Sequence, residues 1–170
     1  MKAAGILLIV ASCSGLGFHM AFLYGRRIRE CAQIERSVSG LAGEIRFRQT
    51  PLTEALDAAG RKETGGFSAF LRRLSERLRG FESGRFEEIW QEELACYLQT
   101  SLLGEEAELL LFLGQQLGYL DLEEQQKSLA LFLEQWRRQM AGLKQEEEKK
   151  GRLYRYLGVF AGFFLAILLL

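Results

Sequence analysis

The charge-free stretch at the start of the chain limits its fold more than any other feature. From Ala3 to Tyr24 the sequence AAGILLIVASCSGLGFHMAFLY holds no Asp, Glu, Lys or Arg, and roughly 20 apolar residues suffice to cross a ~30 Å hydrocarbon layer as a helix. Residues 1–25 therefore read as a transmembrane helix. A signal peptide is the competing reading, since Lys2 gives a basic start and Val10 to Cys13 has the form of a lipoprotein cleavage box. It fits less well, because the apolar run continues past Cys13 through Leu16, Phe18, Met20, Phe22 and Leu23, where a secreted protein turns polar.

The other end repeats the pattern in shorter form. Leu157 to Leu170, LGVFAGFFLAILLL, is uncharged and reaches about 21 Å as a helix at 1.5 Å per residue. Starting at Leu153 adds Tyr154 and Tyr156, suited to the interface, and Arg155, whose stem can snorkel to the headgroups. A second span over 153–170 results. A core helix of a soluble domain is the alternative, but a terminal run of Leu and Ile with no polar cap favours lipid. Arg26, Arg27 and Arg29 follow the first span, and Lys144, Lys149, Lys150, Arg152 and Arg155 lie at the start of the second. Both clusters adjoin the central segment, so the positive-inside rule makes residues 26–152 cytoplasmic, with both short termini outside.

That central segment is expected to be an all-α bundle of about six helices, flanked by the two spans. Pro51 is the single proline in the chain, and the abundance of Leu, Glu, Gln, Arg and Ala favours helix. Ile28, Cys31, Ile34, Val38, Leu41 and Ile45 step by three or four, so the first span and the helix after it are expected to be one rod. Thr50 and Pro51 are expected to form the corner that ends it, with Thr50 as N-cap and Pro51 as the first residue of a short helix to Ala59. Gly60 and Gly65-Gly66 punctuate. Amphipathic stripes follow at Phe67, Phe70, Leu71, Leu74 and Leu78, then at Phe86, Ile89, Trp90, Leu94 and Tyr97. Glu105 and Glu106 suit the start of a leucine-rich helix. Asp121 with Glu124 makes a capping box for the longest element, whose apolar positions run from Leu122 through Leu129, Phe132, Leu133, Trp136 and Met140 to Leu143.

Catalytic chemistry is hard to place on this chain. The single histidine, His19, lies inside the first span and reads as a helix-packing hydrogen bonder. There is no phosphate-binding loop, nucleophile motif or metal cluster, so no cofactor or metal is expected. Zero net charge, with glutamates interleaved among the arginines, argues against nucleic acid. Cys13, Cys31 and Cys96 have no CxxC spacing and read as small buried hydrophobes. The spans carry small residues every fourth position, Gly17, Ala21 and Gly25 in the first and Gly158, Gly162 and Ala166 in the second, which read as membrane packing seams. Arg72, Arg73, Glu105 and Glu106 are the candidate partner surface.

Several short motifs, in this order and spacing, resemble the stage III sporulation protein AB family of endospore-forming bacteria. They are Gly17-Phe18 with Ala21, Tyr24 and Arg27; Glu44-Ile45, then Thr50-Pro51-Leu52 and Glu54-Ala55-Leu56; Gly114, Leu117-Gly118, Asp121 and Gln125; and Leu157-Gly158 with Gly162. Leu113 and Leu120 depart from the aromatic and the small polar residue that the family usually carries there. The resemblance implies a non-enzymatic component of the mother-cell membrane in the secretion-like channel that joins mother cell and forespore. It further implies a cytosolic domain similar to the platform protein F of type II secretion and type IV pili. The implied partners are the cognate sporulation ATPase AA, of secretion type, and other channel membrane proteins; self-association stays open. The alternative from a different class is a membrane-anchored regulatory subunit that binds a small ligand or another protein through its bundle.

Overall fold

The computed structural model describes residues 2–80, 86–118 and 121–168, with side-chain detail from 22 to 146 within those ranges and at Ser12, Gly15, His19, Lys149 and Tyr156. All regular structure among them is helical: α1 (Lys2–Arg48), α2 (Leu52–Lys62), α3 (Gly66–Arg79), α4 (Phe86–Leu98), α5 (Glu106–Leu117) and α6 (Leu122–Leu168). The chain divides into two compact units, one of residues 29–140 and one of residues 1–28 with 141–170. The first is narrower than the 26–152 segment marked out by charge.

Unit 29–140 is built from the stripes that helical spacing picks out. Cys31, Ile34, Val38, Leu41 and Ile45 of α1 are buried, as are Phe67, Phe70, Leu71 and Leu74 of α3 and Leu129, Phe132, Leu133, Trp136 and Met140 of α6. Helices α2, α3, α4 and α5 pack in chain order, each on the next. At their centre Phe70 meets Trp90 edge-on at 5.2 Å between ring centroids, while Phe67 meets Tyr97 at 5.7 Å. Edge-to-face contacts of this kind bring the positive ring edge onto the negative face and add to area burial. The indole Nε1 of Trp90 donates to the Leu110 carbonyl at 3.0 Å, so the buried ring also fixes α5. Trp136 does the same on the other side, its Nε1 donating to the Cys31 carbonyl at 3.0 Å.

The corner after α1 differs in detail from the expected cap. Pro51 is itself the N-cap of α2, with extended angles of φ −53° and ψ 145° and no side-chain capping bond, and the helix begins at Leu52. Thr50 is therefore not the cap. As the residue before proline it is pushed out of helical geometry, and its N–H reaches back to the Glu44 carbonyl at 3.5 Å. Gln49 makes the reversal at φ +52°, the one non-glycine residue with positive φ among those described.

Gly60 does not punctuate. It lies inside α2, where a Cβ would meet Arg72 Cγ at 2.8 Å and the Ser68 carbonyl at 3.0 Å, so it allows α2 and α3 to approach closely. Two further expectations are corrected. Leu122 is 40% exposed because it opens α6 at the edge of the core, and Cys96 is exposed on α4, whereas Cys31 is buried.

Within unit 1–28 with 141–170, the two segments belong to α1 and α6. No helix among the described residues is long and apolar enough to cross a membrane. Most side chains of the expected spans lie outside the described residues, and with them Cys13, Gly17, Ala21, Gly158, Gly162 and Ala166.

Two outcomes follow from this packing. At Gly114 a Cβ would fall 2.1 Å from Trp90 Cδ1, whereas at Gly43 it would meet nothing within 4 Å. Gly114→Ala should then cost ~1–3 kcal/mol through overpacking, and Gly43→Ala should gain ~0.5–1 kcal/mol of helix propensity; chemical denaturation of the full chain in detergent measures both. At the corner, Gln49→Gly should stabilise by about 1 kcal/mol by relieving the left-handed conformation. Thr50→Ala should stay within about 0.5 kcal/mol of wild type, because Thr50 makes no cap.

Candidate functional site

The residues proposed as a partner surface do not form one patch. Arg72 and Arg73 lie on α3, which packs on α2 and α4, and Glu105 and Glu106 open α5, which packs on α4. Arg73 donates through Nε to Glu93 at 2.9 Å, and Arg72 lays its stem over Gly60. Glu106 is 1% exposed, its carboxylate turned back to accept the Gly104 N–H at 2.8 Å. It closes the N-terminal turn of its own helix, and cannot offer charge to a partner. Glu105 remains exposed. At the start of α6, Asp121 accepts the Glu124 N–H at 2.9 Å, which satisfies one of the N–H groups left open at a helix start.

The charged side chains inside unit 29–140 mostly join helices. Arg77 reaches Glu93 at 3.1 Å and Glu92 at 2.7 Å, so α3 is tied to α4 by two arginines. Arg79 and Arg61 share Asp57 at 3.1 and 3.0 Å. Glu44, almost wholly buried on α1, takes Lys62 at 2.6 Å and Arg48 at 3.3 Å. The hydrogen bond from Lys62 holds the Glu44 carboxyl below the usual carboxylate range, and those from Arg61 and then Arg79 do the same for Asp57. Burial works to raise Glu93, but the hydrogen bonds from Arg73 and Arg77 outweigh it and leave this group lowered as well.

Sequence reading missed Glu30. Its Oε1 accepts the Tyr97 hydroxyl at 2.5 Å and its Oε2 the Leu102 N–H at 2.8 Å, so one carboxylate clamps α1 to the end of α4 and the loop beyond. The only signal for it was an acid placed beside the core stripe at Cys31, which names no partner. Burial, and then the Glu30 carboxylate, push the Tyr97 hydroxyl far up, which keeps it a protonated donor and removes it as a base. No group of three His, Cys, Asp or Glu that could hold a metal occurs among the described residues.

The surface best suited to a partner lies elsewhere, on α5 and α6. Leu111, Phe112 and Leu131 are 39%, 46% and 49% exposed. Phe112 and Leu131 border a shallow hollow of about 50 Å³, backed by Leu113 and Phe132 and edged by Gln116 and Ser128. Such a hollow can seat an apolar side chain; ligand pockets are larger, at ~300–1,000 Å³.

The ion pairs predict a pH response. A carboxylate whose pKa is lowered by folding stabilises the fold above its unfolded pKa, near ~4, and loses that contribution as pH falls through the folded value. Thermal unfolding of the full chain in detergent should hold its midpoint from pH 7 down to about 5 and drop below about 4. Arg77→Met should lower the midpoint at pH 7 and shrink the acid-induced drop; an unchanged drop would remove Glu93 from the account.

The comparisons with known proteins agree with one another. The family model for stage III sporulation protein AB matches residues 2–170. The stage III sporulation protein AB of Bacillus subtilis (strain 168) is 30% identical over 172 residues, an alignment that covers 100% of this chain and 99% of that protein. No solved structure matches. The chain belongs to the stage III sporulation protein AB family, a membership that supports a role in sporulation.

Proposed function

We propose that the protein is a non-enzymatic membrane platform of the secretion-like channel joining mother cell and forespore. On this reading it is anchored by spans at both ends and presents unit 29–140 in the mother-cell cytoplasm to a secretion-type ATPase. The observation that carries the reading is the junction of α1 and α6. Trp136 donates to the Cys31 carbonyl at 3.0 Å and Arg137 to Glu35 at 2.6 Å, so the chain enters and leaves the unit side by side. Exits placed side by side suit a domain held by two spans of one membrane.

Other observations support the same reading. The charge-free stretches from Ala3 to Tyr24 and from Leu157 to Leu170 stand at the two ends of the chain, with Arg26, Arg27 and Arg29 next to one and Lys149, Lys150 and Arg152 near the other. That distribution favours a cytoplasmic centre. The hollow between Phe112 and Leu131, about 50 Å³, is smaller than the site a small ligand would need under the regulatory-subunit alternative.

Cys96 is exposed and Cys31 buried, which makes the topology testable. In a Cys13→Ser variant of the full chain, a membrane-impermeant maleimide should leave Cys96 unmodified in intact cells and modify it after permeabilisation. Labelling in intact cells would overturn the cytoplasmic placement. The coupling itself is tested by retention of the cognate ATPase on resin bearing the detergent-solubilised full chain. Retention no better than on bare resin would sink it.

A further inference from the structure

Apolar exposure in unit 29–140 is concentrated on two helices. Its large exposed apolar side chains, among the described residues, are Phe47, Leu111, Phe112, Leu122 and Leu131, and all but Phe47 belong to α5 or α6. Glu108, Leu111, Phe112 and Gln115 are exposed together on α5, at the three- and four-residue spacing that aligns side chains on one helix face. On α6, Glu124, Ser128 and Leu131 share a face by the same spacing, and the hollow between Phe112 and Leu131 joins the two helices. Glu108 lies one turn before Phe112 on α5 and Glu124 one turn before Ser128 on α6, so each stands about a turn from the lining of the hollow.

Carboxylates outnumber cations around this face. From Phe86 to Gln126 the chain has ten Asp or Glu and no Lys or Arg. Glu92 and Glu93 are taken up by Arg77 and Arg73, Glu106 by its own helix start and Glu123 by Lys127 at 2.9 Å. Glu105, Glu108 and Glu124 make no ion pair among the described residues. The nearby cations on α6 are engaged, Lys127 by Glu123 and Arg138 by Glu134 at 2.5 Å. An apolar seat bracketed by free carboxylates complements one kind of occupant.

We infer that the α5–α6 face docks a basic amphipathic helix from another protein. An apolar side chain of that helix sits between Phe112 and Leu131, and its Lys or Arg residues meet Glu108 and Glu124. Helix-in-groove recognition works by such anchors at helical spacing, and rim charges select the partner by sign. An anionic membrane surface would be repelled by the same carboxylates. A second copy of this chain is disfavoured too, since its basic helix α3 buries its apolar stripe and commits Arg73, Arg77 and Arg79 to neighbours. The inference stands apart from the coupling role: any channel protein with such a helix satisfies it, whether or not the ATPase is bound.

The test is site-specific photo-crosslinking in sporulating cells that carry the full chain, with Phe112→benzoylphenylalanine and Leu131→benzoylphenylalanine made singly. The linked peptide is identified by mass spectrometry. The expected product at both positions is a peptide of another protein with net positive charge and apolar residues three or four apart. Glu108→Lys with Glu124→Lys should reduce the yield about fivefold, as loss of two rim pairs implies. The milder Glu108→Gln with Glu124→Gln should reduce it less, and Glu88→Lys on α4 should leave it unchanged. Linkage to this chain's own peptides, to lipid or to an acidic peptide would overturn the inference. So would absence of any product, or a yield insensitive to both double substitutions while the fold, checked by circular dichroism, is retained.

Discussion

The bond from the Trp136 indole to the Cys31 carbonyl closes a circuit of 105 residues, and the rest of the unit has to fit inside it. An indole buried this completely needs a partner for its N–H, and a helix carbonyl can accept a second donor beside its own intrahelical one. Once α1 and α6 are paired there, their buried stripes face inward, and α2 to α5 must return the chain from the corner at Pro51 to the cap at Asp121. They do so by packing in sequence, each on the next.

Two tryptophans do similar work by similar means. Trp90 binds the Leu110 carbonyl as Trp136 binds that of Cys31. Each ring supplies a large buried area and one directional bond, which fixes helix register where apolar packing alone would tolerate sliding. Gly114 belongs to the same arrangement, since the Trp90 ring occupies the space a side chain would need. That assigns a physical task to a glycine which, in the sequence, was only one of the marks of resemblance.

Charge divides the unit in a way net charge conceals. The arginines of α3 are spent on Asp57, Glu92 and Glu93, which knits α2, α3 and α4 together. The segment from Phe86 to Gln126 has no cation of its own, so α5 and the start of α6 keep carboxylates without partners. The apolar exposure of Phe112 and Leu131 falls in this same region. This is where the unit leaves an apolar surface uncovered by its own fold.

Helix content, the buried stripes of α1, α3 and α6, and the reversal near Pro51 are all legible in the sequence. Each depends on a local repeat of 3.6 residues or on the fixed geometry of proline, and neither changes with context. The charge-free ends and their basic flanks are likewise properties of contiguous sequence. The cap at Pro51 in place of Thr50, the burial of Glu106, the exposure of Cys96 and the close approach at Gly60 were not legible. Nor were the clamp on Glu30 and the face shared by Phe112 and Leu131. These depend on which helix lies against which: Glu30 meets Tyr97 across 67 positions and Trp136 meets Cys31 across 105. A periodic stripe says that a face is buried, but its partner and the residues left at the rim are fixed by packing between helices distant in sequence.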